Sequence, residues 1–397
     1  MIQREQYLNK LKAFKDKNLI KAVTGIGRCG KSTLFDLYIE YLKNEGINES
    51  QIIKINLENP EYNFKSYMEL YNYVKSKLIS DKINYVFLDE VQNIEEFQKA
   101  VDGLYILKNV DLYITGSNSY LLSGELATLL SGRYIEINML PLSFKEYVSC
   151  FDDKNYDRLY LQYINRSSFP YAVNFSNEDE IDDYLENIFN TIILKDIVSR
   201  RKIADPTMLQ SVIKFMLSNI GSVLSVKKIS DTLTSDGRKI SVHTVQNYLD
   251  SLVESFVINK VSRFDIKGKQ FLQSGEKYYV TDVTLRYALL GRKNLDVGHV
   301  LENIVYLELK RRGYKVYVGK TGEREVDFIA ENKEGLKYYQ VAFTTREKTT
   351  LERELSSLQS INDNYPKYIL TMDIDPEIDY EGIKKINAID WLLDEEK

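Results

Sequence analysis

GIGRCGKS, residues 25–32, is the segment from which the fold class of this 397-residue chain is most directly inferred. It fits the pattern G-x-x-x-x-G-K-[ST], and it lies between a predicted strand at 19–24 and a predicted helix whose apolar residues begin at Leu34. Glycines let successive backbone N–H groups turn inward, so the loop and the helix N-terminus together surround a polyanion. The segment predicts a phosphate-binding loop.

The positions of this loop have expected roles in binding ATP and Mg²⁺. We expect Lys31 to reach the β and γ phosphates and the Ser32 hydroxyl to bind Mg²⁺. Arg28 is expected to contact phosphate or an acidic neighbour. Cys29 either fills a place for a small residue or, near a helix N-terminus, is a reactive thiol. The glycines that shape the loop are Gly25, Gly27 and Gly30.

The segment YVFLDE, residues 85–90, is a predicted apolar strand that ends in two carboxylates. Acids at the carboxyl edge of a parallel sheet lie on its ligand-binding side, beside the phosphate loop. We expect Asp89 to hold Mg²⁺ through its water shell and Glu90 to accept a proton from the water that attacks the γ-phosphate. The alternative is a polar strand end capped by solvated acids.

Two further segments carry polar groups that belong with this site. The strand LYITGSNS, residues 112–119, ends with Thr115, Ser117 and Asn118, which are placed to orient a water or contact the γ-phosphate, although a simple turn also explains them. Arg133 precedes a fifth predicted strand. It could complement transition-state charge in its own or a neighbouring subunit, or be an exposed structural arginine.

Composition and pattern predict an α/β protein with more than one domain. Strands at 19–24, 52–55, 85–88, 112–115 and 134–137 are separated by helical stretches, the order of a parallel sheet. The charged N-terminus and the lack of a long apolar run favour a cytoplasmic protein without a membrane span.

Changes of pattern divide the chain into four predicted domains. Residues 1–140 form a P-loop ATPase domain, 141–205 a helical lid or linker, 206–292 a winged helix-turn-helix, and 293–397 a small α/β domain.

Taken together, TGIGRCGKST, YVFLDEVQNI, LYITGSNSYLL, LLSGRYIEI, PLSFKEY and EVDFIAE resemble a prokaryotic family of AAA+-like P-loop ATPases of the signal-transduction type. In that family a winged helix and a restriction-endonuclease-like domain follow the ATPase domain. The resemblance implies nucleotide binding by residues 30–33, including Thr33, a Mg²⁺ role for Asp89, a water-activating role for Glu90, and a sensor role near Ser117 and Asn118. Members commonly have Gly-Gly-Phe-Pro where this chain has Ser-Ser-Phe-Pro at 167–170, which questions how the lid packs.

The C-terminal domain offers part of a nuclease site. Restriction-type nucleases combine an acid on a helix, an Asp on a strand and an acid-x-Lys on the next strand. This chain has Glu302 and Asp327, but Gln340 replaces the second acid and Ala342 stands where lysine is expected. We expect an inactive or atypical nuclease-like scaffold, or a polar network that steadies the fold. An ATP-gated nuclease is the remaining alternative.

Charge is unevenly distributed along the chain, whose net charge is −5. Residues 200–292 hold fifteen lysines and arginines against eight acids, a net of +7, so the other residues sum to −12. Such a segment predicts phosphate contacts with DNA, although winged helices also bind proteins. Its basic residues include Lys227, Lys228, Arg238, Lys239, Lys260, Arg263, Lys267 and Lys269, and residues 243–247 could begin a base-reading helix. The first main hypothesis is an ATPase that acts as a conformational switch, as a monomer or an oligomer. The second is a DNA-binding module whose conformation is set by nucleotide.

Overall fold

The computed structural model describes residues 2–119, 130, 132–272, 275–292 and 297–394, apart from the side chains of residues 192, 193, 195, 196 and 288. These residues form two compact units. The first comprises Met1–Pro141 with Glu254–Phe256, and the second Leu142–Val253 with Val257–Lys397. Apart from Pro141 and Glu254–Phe256, the residues of the other three predicted domains fall in the second unit. The predicted boundary at residue 293 lies outside the described residues, and the division into these three domains stays a prediction.

The first unit contains a five-stranded parallel sheet in the order β2-β3-β4-β1-β5. Its strands are β1 Ile20–Thr24, β2 Ile52–Asn56, β3 Asn84–Asp89, β4 Val110–Gly116 and β5 Tyr134–Asn138. Its helices are α1 Glu5–Ala13, α2 Lys31–Asn44, α3 Tyr67–Lys77 and α4 Phe97–Tyr105, with 3₁₀ turns at Glu49–Gln51, Pro60–Tyr62 and Val91–Asn93. The α/β fold with a parallel P-loop NTPase sheet is confirmed.

The register of this sheet brings the carboxyl ends of its strands to one edge. Every residue of β1 and β3 is buried, as expected for central strands of a parallel sheet covered on both faces. Thr24 pairs with Gly116 of β4 and with Asn138 of β5, and Asn56 of β2 pairs with Asp89 of β3. The phosphate loop after β1 and the acids after β3 therefore share an edge.

The opposite edge of the sheet is held by a buried ion pair. Lys21 of β1 is fully buried, donates to the Lys17 carbonyl at 2.7 Å, and pairs with a carboxylate oxygen of Asp111 on β4. The other Asp111 oxygen accepts from the Tyr113 hydroxyl at 2.7 Å and from the Asp16 amide at 3.0 Å. Burial lowers the pKa of Lys21, although Asp111 opposes this shift. Both charged groups have hydrogen-bond partners, so this pair is a structural element of the sheet.

Replacing Lys21 by methionine should destabilise the first unit by about 3–5 kcal/mol, because Asp111 is left as an unpaired buried charge. Hydrogen exchange of the β1 and β4 amides measures this loss. Lys43→Met is the matched control: it breaks the exposed Lys43–Glu49 pair, and we expect a change below about 1 kcal/mol. Equal protection of these amides in wild type and Lys21→Met would contradict the assignment.

The second unit begins with helices and ends with a large sheet. Its helices are α5 Phe144–Val148, α6 Tyr156–Arg166, α7 Glu178–Ile188, α8 Asp196–Arg201, α9 Pro206–Ser218, α10 Val226–Ser235, α11 Val242–Glu254, α12 Leu285–Leu290, α13 Val297–Arg311, α14 Lys348–Gln359 and α15 Ala388–Leu393. A 3₁₀ segment spans Pro170–Asn174, and a π-helical segment, Phe189–Lys195, joins α7 to α8. Among the described helices, none combines the length and the apolar character needed to cross a bilayer.

The strands of the second unit divide into a pair and an eight-stranded mixed sheet. Strands β6 Ile258–Val261 and β9 Lys277–Val280 form the antiparallel pair. The large sheet has the order β14-β15-β13-β12-β11-β10-β7-β8. Its strands are β7 Arg263–Asp265, β8 Gln270–Phe271, β10 Lys315–Thr321, β11 Arg324–Asn332, β12 Gly335–Ala342, β13 Lys367–Thr371, β14 Ile378–Tyr380 and β15 Ile383–Asn387.

The strands after α11 differ from the predicted winged helix. The sequence favours one strand from Val257 to Gly268, but the structure divides it at Ser262, after which β7 pairs in parallel with β10. The β7–β8 hairpin, which carries Lys267 and Lys269 in its turn, is therefore an edge of the C-terminal sheet. Phe264 packs on Phe271 and Tyr317, which gives the hairpin its apolar anchor.

Candidate nucleotide site

The phosphate loop has two glycines in backbone conformations that favour glycine. Gly25 has φ +149°, and a Cβ built there would stand 2.1 Å from the Met139 carbonyl oxygen. Gly30 has φ +102° and is the residue from which α2 begins. Arg28 also has a positive φ, of 68°, and is exposed. The loop thus leads from β1 to the N-terminus of α2, the geometry that directs N–H groups at an anion.

Lys31 opens α2 and is buried at the centre of the site. Its ammonium group donates to the Gly25 carbonyl at 3.1 Å and lies 3.2 Å from Glu90 Oε1. Burial alone would lower the pKa of Lys31, but the facing Cys29, Glu90 and Asp89 groups hold it above its usual value. Lys31 is therefore a fixed positive charge beside the loop. Ser32 and Thr33 follow it in the first turn of α2, with Thr33 exposed.

Cys29 is buried rather than reactive. Its side chain has no exposed surface, and burial raises the pKa of the Cys29 thiol. The reactive thiol considered from the sequence is therefore wrong, and the residue fills a small space in the core. Arg4, which no sequence motif indicated, donates to the Cys29 carbonyl at 3.0 Å and to the Leu140 carbonyl at 2.6 Å. It anchors the loop from the N-terminal segment.

Asp89 ends β3 with one oxygen occupied and one free. The Thr115 hydroxyl on β4 donates to Asp89 Oδ1 and accepts from the Glu90 amide at 2.8 Å. Asp89 Oδ2 is buried and has no hydrogen-bond partner among the described residues. An unsatisfied buried carboxylate oxygen calls for a missing partner, and oxygen atoms are the ligands that Mg²⁺ prefers. The free Asp89 oxygen therefore has the chemistry of a Mg²⁺ ligand.

Glu90 follows Asp89 in a conformation unusual for a residue other than glycine. Its backbone has φ 55° and ψ 54°, in the left-handed region, and its carboxylate is buried between Lys31 and Gln92. The Glu90 carboxylate faces Lys31 and Gln92, whereas Asp89 Oδ1 accepts from Thr115. The adjacent carboxylates therefore have different partners.

The end of β4 contributes the polar groups expected there. Ser117 Oγ accepts from Gln92 Nε2 at 3.1 Å. Asn118 is buried, and within the described part of the chain its Oδ1 lacks a hydrogen-bond partner. Glu58, after β2, was missed by sequence reasoning; it is exposed, but partial desolvation and the facing Glu90 raise its pKa. Its isolated position after a strand carries no motif that could have identified it.

Arg133 lies away from this site. Its carbonyl accepts from the Ile20 amide at the start of β1, while the phosphate loop follows the end of that strand. Its guanidinium pairs with Asp102 at 2.5 Å and lies over the Tyr105 ring at 5.6 Å. This position corrects the expectation that Arg133 acts in the site of its own chain, because the two edges are a full strand apart. Contact with the site of a second copy stays a prediction.

Comparisons with known proteins indicate the family of this chain. A model of an AAA domain matches residues 17–148, and a domain of unknown function matches residues 157–296. An uncharacterized protein of Haemophilus influenzae is 41% identical over 399 residues, covering 99% of each chain. This chain belongs to the AAA-type P-loop ATPase family.

Two further similarities extend the description of this AAA-type family member. An uncharacterized protein of Methanocaldococcus jannaschii is 30% identical, covering 94% of this chain and 85% of its own. The solved structure of a Walker-type ATPase of Pyrococcus abyssi is 16% identical, covers 73% of this chain and 96% of its own, and has a TM-score of 0.52. At this identity the likeness concerns the fold alone.

The second unit of this AAA-type family member has its own buried charge cluster, centred on Lys277 of β9. Its ammonium group lies 2.9 Å from Glu302 Oε1, 2.6 Å from Glu325 Oε1 and 3.9 Å from Asp327 Oδ1. The Tyr279 hydroxyl also donates to Glu302 Oε1, at 2.5 Å. Sequence reasoning noted the missing lysine at Ala342 but not Lys277, which reads only as part of a strand.

The carboxylates of this cluster are engaged by protein groups. Asp327 accepts from the Val341 amide at 2.8 Å, and the Gln340 side chain accepts from the Asp327 amide and donates to Glu354. Burial and the facing Glu302 raise the pKa of Asp327 well above its usual value. Across the described residues no group of three or more His, Cys, Asp or Glu is placed to hold a metal ion. These contacts favour a polar network that steadies the fold.

The Ser-Ser-Phe-Pro element of the second unit retains a glycine-like backbone. Ser167 has φ +88°, a conformation that favours glycine. Its hydroxyl donates to Asp282 Oδ2 at 2.9 Å, and the Ser168 amide and hydroxyl donate to the same oxygen at 2.7 and 2.6 Å. The side-chain hydrogen bonds of the two serines thus hold a turn that glycines would permit by conformation alone.

Lys277→Met should lower the stability of the second unit by about 3–5 kcal/mol, since three acids lose a buried partner. The single tryptophan, Trp391, is buried in this unit, so its fluorescence during urea unfolding reports the change. Lys260→Met, which removes the partly exposed Lys260–Glu276 pair of the adjacent strand, should cost below about 1 kcal/mol. Superimposable unfolding curves for wild type and Lys277→Met would refute the network.

Proposed function

We propose that this chain binds ATP with Mg²⁺ and hydrolyses it, and that binding and hydrolysis act as a conformational switch. One observation carries the proposal: the phosphate loop, the buried Lys31 and the Glu90 carboxylate meet at one edge of the sheet, with the Lys31 ammonium 3.2 Å from Glu90. The loop glycines and the start of α2 supply N–H donors for the phosphates.

The proposed roles follow from charge and position. Lys31 neutralises charge on the β and γ phosphates, and Ser32 and Asp89 hold Mg²⁺, which when bound neutralises phosphate charge and orients the nucleotide. Glu90 takes a proton from a water whose oxygen attacks the γ-phosphorus. That oxygen forms a bond to phosphorus while the bond to the ADP oxygen breaks, and the proton leaves with the products. Asn118 Oδ1, which has no hydrogen-bond partner among the described residues, accepts a hydrogen bond from the attacking water.

Lys31→Ala should abolish ATP binding, because the fixed cation of the phosphate loop is lost. Glu90→Gln should bind ATP with unchanged affinity but hydrolyse it about 100-fold more slowly, because the amide cannot accept a proton. Fluorescent-nucleotide binding and phosphate release measure the two effects.

Lys65→Ala and Glu61→Gln change exposed residues of the same unit and should leave both readouts at wild-type values. Hydrolysis by Glu90→Gln at the wild-type rate would show that the assigned base is wrong. Loss of folding is checked by circular dichroism of each variant.

We further propose that the basic segment within residues 200–292 contacts the DNA backbone. Its net charge is +7, and Lys227, Lys228, Arg238, Lys239, Lys267 and Lys269 are exposed. Lys260 and Arg263 are partly engaged, in ion pairs with Glu276 and Glu325. At the start of α11, Asn247 contacts His243 and Gln246 donates to Asp250, so these groups already have partners on the helix. The proposal is therefore contact with phosphates rather than base reading.

Replacing Lys267 and Lys269 by alanine should weaken DNA binding and reduce the slope of log K against log salt by about 2, one unit for each phosphate contact. The measurement is a series of fluorescence-anisotropy isotherms at several salt concentrations. Replacing Lys333 and Lys348, exposed lysines outside this segment, should leave the slope unchanged. A wild-type isotherm insensitive to salt would sink the proposal.

A further inference from the structure

Gln92 makes a contact that no motif assigns to it. It lies in the 3₁₀ turn Val91–Asn93, two residues after Glu90. Its Nε2 donates to Glu90 Oε2 at 2.5 Å and to Ser117 Oγ at 3.1 Å. Its Oε1 is buried and, among the described residues, has no hydrogen-bond partner. One amide group therefore joins the proposed base to the carboxyl end of β4.

The Glu90 carboxylate is held at both oxygens. Oε1 faces the Lys31 ammonium, and Oε2 accepts from Gln92. The backbone is fixed as well, because the Glu90 amide donates to the Thr115 hydroxyl at 2.8 Å. Gln92 and Thr115 thus tie the side chain and the backbone of Glu90 to the same strand, β4.

Nucleotide binding affects the two partners of the Glu90 carboxylate differently. Phosphate attracts the Lys31 ammonium group, so nucleotide binding weakens the contact between Lys31 and Glu90 Oε1. Gln92 is neutral and keeps its hydrogen bond to Oε2. Once Lys31 turns to phosphate, the amide is the side chain that still orients the carboxylate among the contacts described.

We propose that Gln92 is a positioning residue for Glu90: it holds the carboxylate in the orientation from which it accepts the proton of the attacking water. This inference rests on the proposed ATPase function. The unpaired Gln92 Oε1 is consistent with it, because a buried amide oxygen without a partner is kept where a ligand or water completes it. Displacing a general base by about 1 Å costs on the order of 100-fold in rate.

Gln92→Ala tests the assignment by separating binding from turnover. We expect kcat to fall on the order of 100-fold while the Kd for ATP changes less than about twofold, because the amide touches the base and not the phosphate loop. Gln92→Glu should fall at least as far, since a second carboxylate beside Glu90 Oε2 repels it. Asn93→Ala, an exposed neighbour on the same turn, is the control and should keep the wild-type kcat.

A double variant distinguishes positioning from a merely structural role. If Gln92 acts through Glu90, adding Gln92→Ala to Glu90→Gln slows hydrolysis no further. If the amide only stabilises the turn, the reductions in hydrolysis rate caused by the two substitutions multiply. The thermal midpoint of unfolding then falls when Gln92→Ala is added to wild type and when it is added to Glu90→Gln. The second result overturns the inference.

The outcomes also separate this inference from the proposed function. A wild-type protein that neither binds nor hydrolyses ATP refutes the function itself. Wild-type hydrolysis that is slowed by Glu90→Gln but unchanged by Gln92→Ala refutes only the role of Gln92.

Discussion

The ion pair between Lys31 and Glu90 depends on three strands keeping one register. Lys31 follows β1 and Glu90 follows β3, but these strands are not neighbours, because β4 lies between them. With strands about 4.8 Å apart, the two chain segments are separated by roughly 10 Å at the backbone. The pair closes this distance only because Thr24 pairs with Gly116 and Leu88 with Ile114, which ends all three strands at one level. A slip of one residue would turn each side chain to the opposite face.

The features that sequence reasoning recovered are local ones. A loop of eight residues carries its own glycine spacing, lysine and hydroxyl, and a strand that ends in Asp89 and Glu90 carries its acids in adjacent positions. The five parallel strands are also readable as short segments rich in apolar residues, and the central strands β3 and β4 are buried almost throughout. Each signal lies within a few residues, so it can be recognised without knowledge of the tertiary structure.

The features that it missed depend on residues distant in sequence. Lys277 on β9 lies 25 positions before Glu302 on α13, so no spacing rule connects the two. Gln92 touches Ser117 across 25 positions, and only the order of β3 and β4 brings them together. The β7–β8 hairpin was assigned to the winged helix because it follows α11 in sequence, whereas pairing with β10 is settled by the apolar anchor of Phe264. Arg133 is a different case: it precedes β5, and in a parallel sheet that position lies at the amino ends of the strands, opposite the phosphate loop.

Three buried lysine–acid pairs, centred on Lys21, Lys31 and Lys277, differ in whether the polar atoms around them have hydrogen-bond partners. This difference distinguishes the two structural pairs from the pair at the candidate site. Around Lys21 both oxygens of Asp111 have donors, and around Lys277 the acids take hydrogen bonds from Tyr279 and the Val341 amide. Around Lys31, by contrast, three buried oxygens lack partners within the described chain: Asp89 Oδ2, Gln92 Oε1 and Asn118 Oδ1. Each unmade hydrogen bond costs about 1–3 kcal/mol, so a fold has reason to keep three together only where something else completes them. An ammonium–carboxylate contact therefore stabilises the fold around Lys21 and around Lys277. Around Lys31 the same kind of contact leaves oxygen atoms that a ligand can complete.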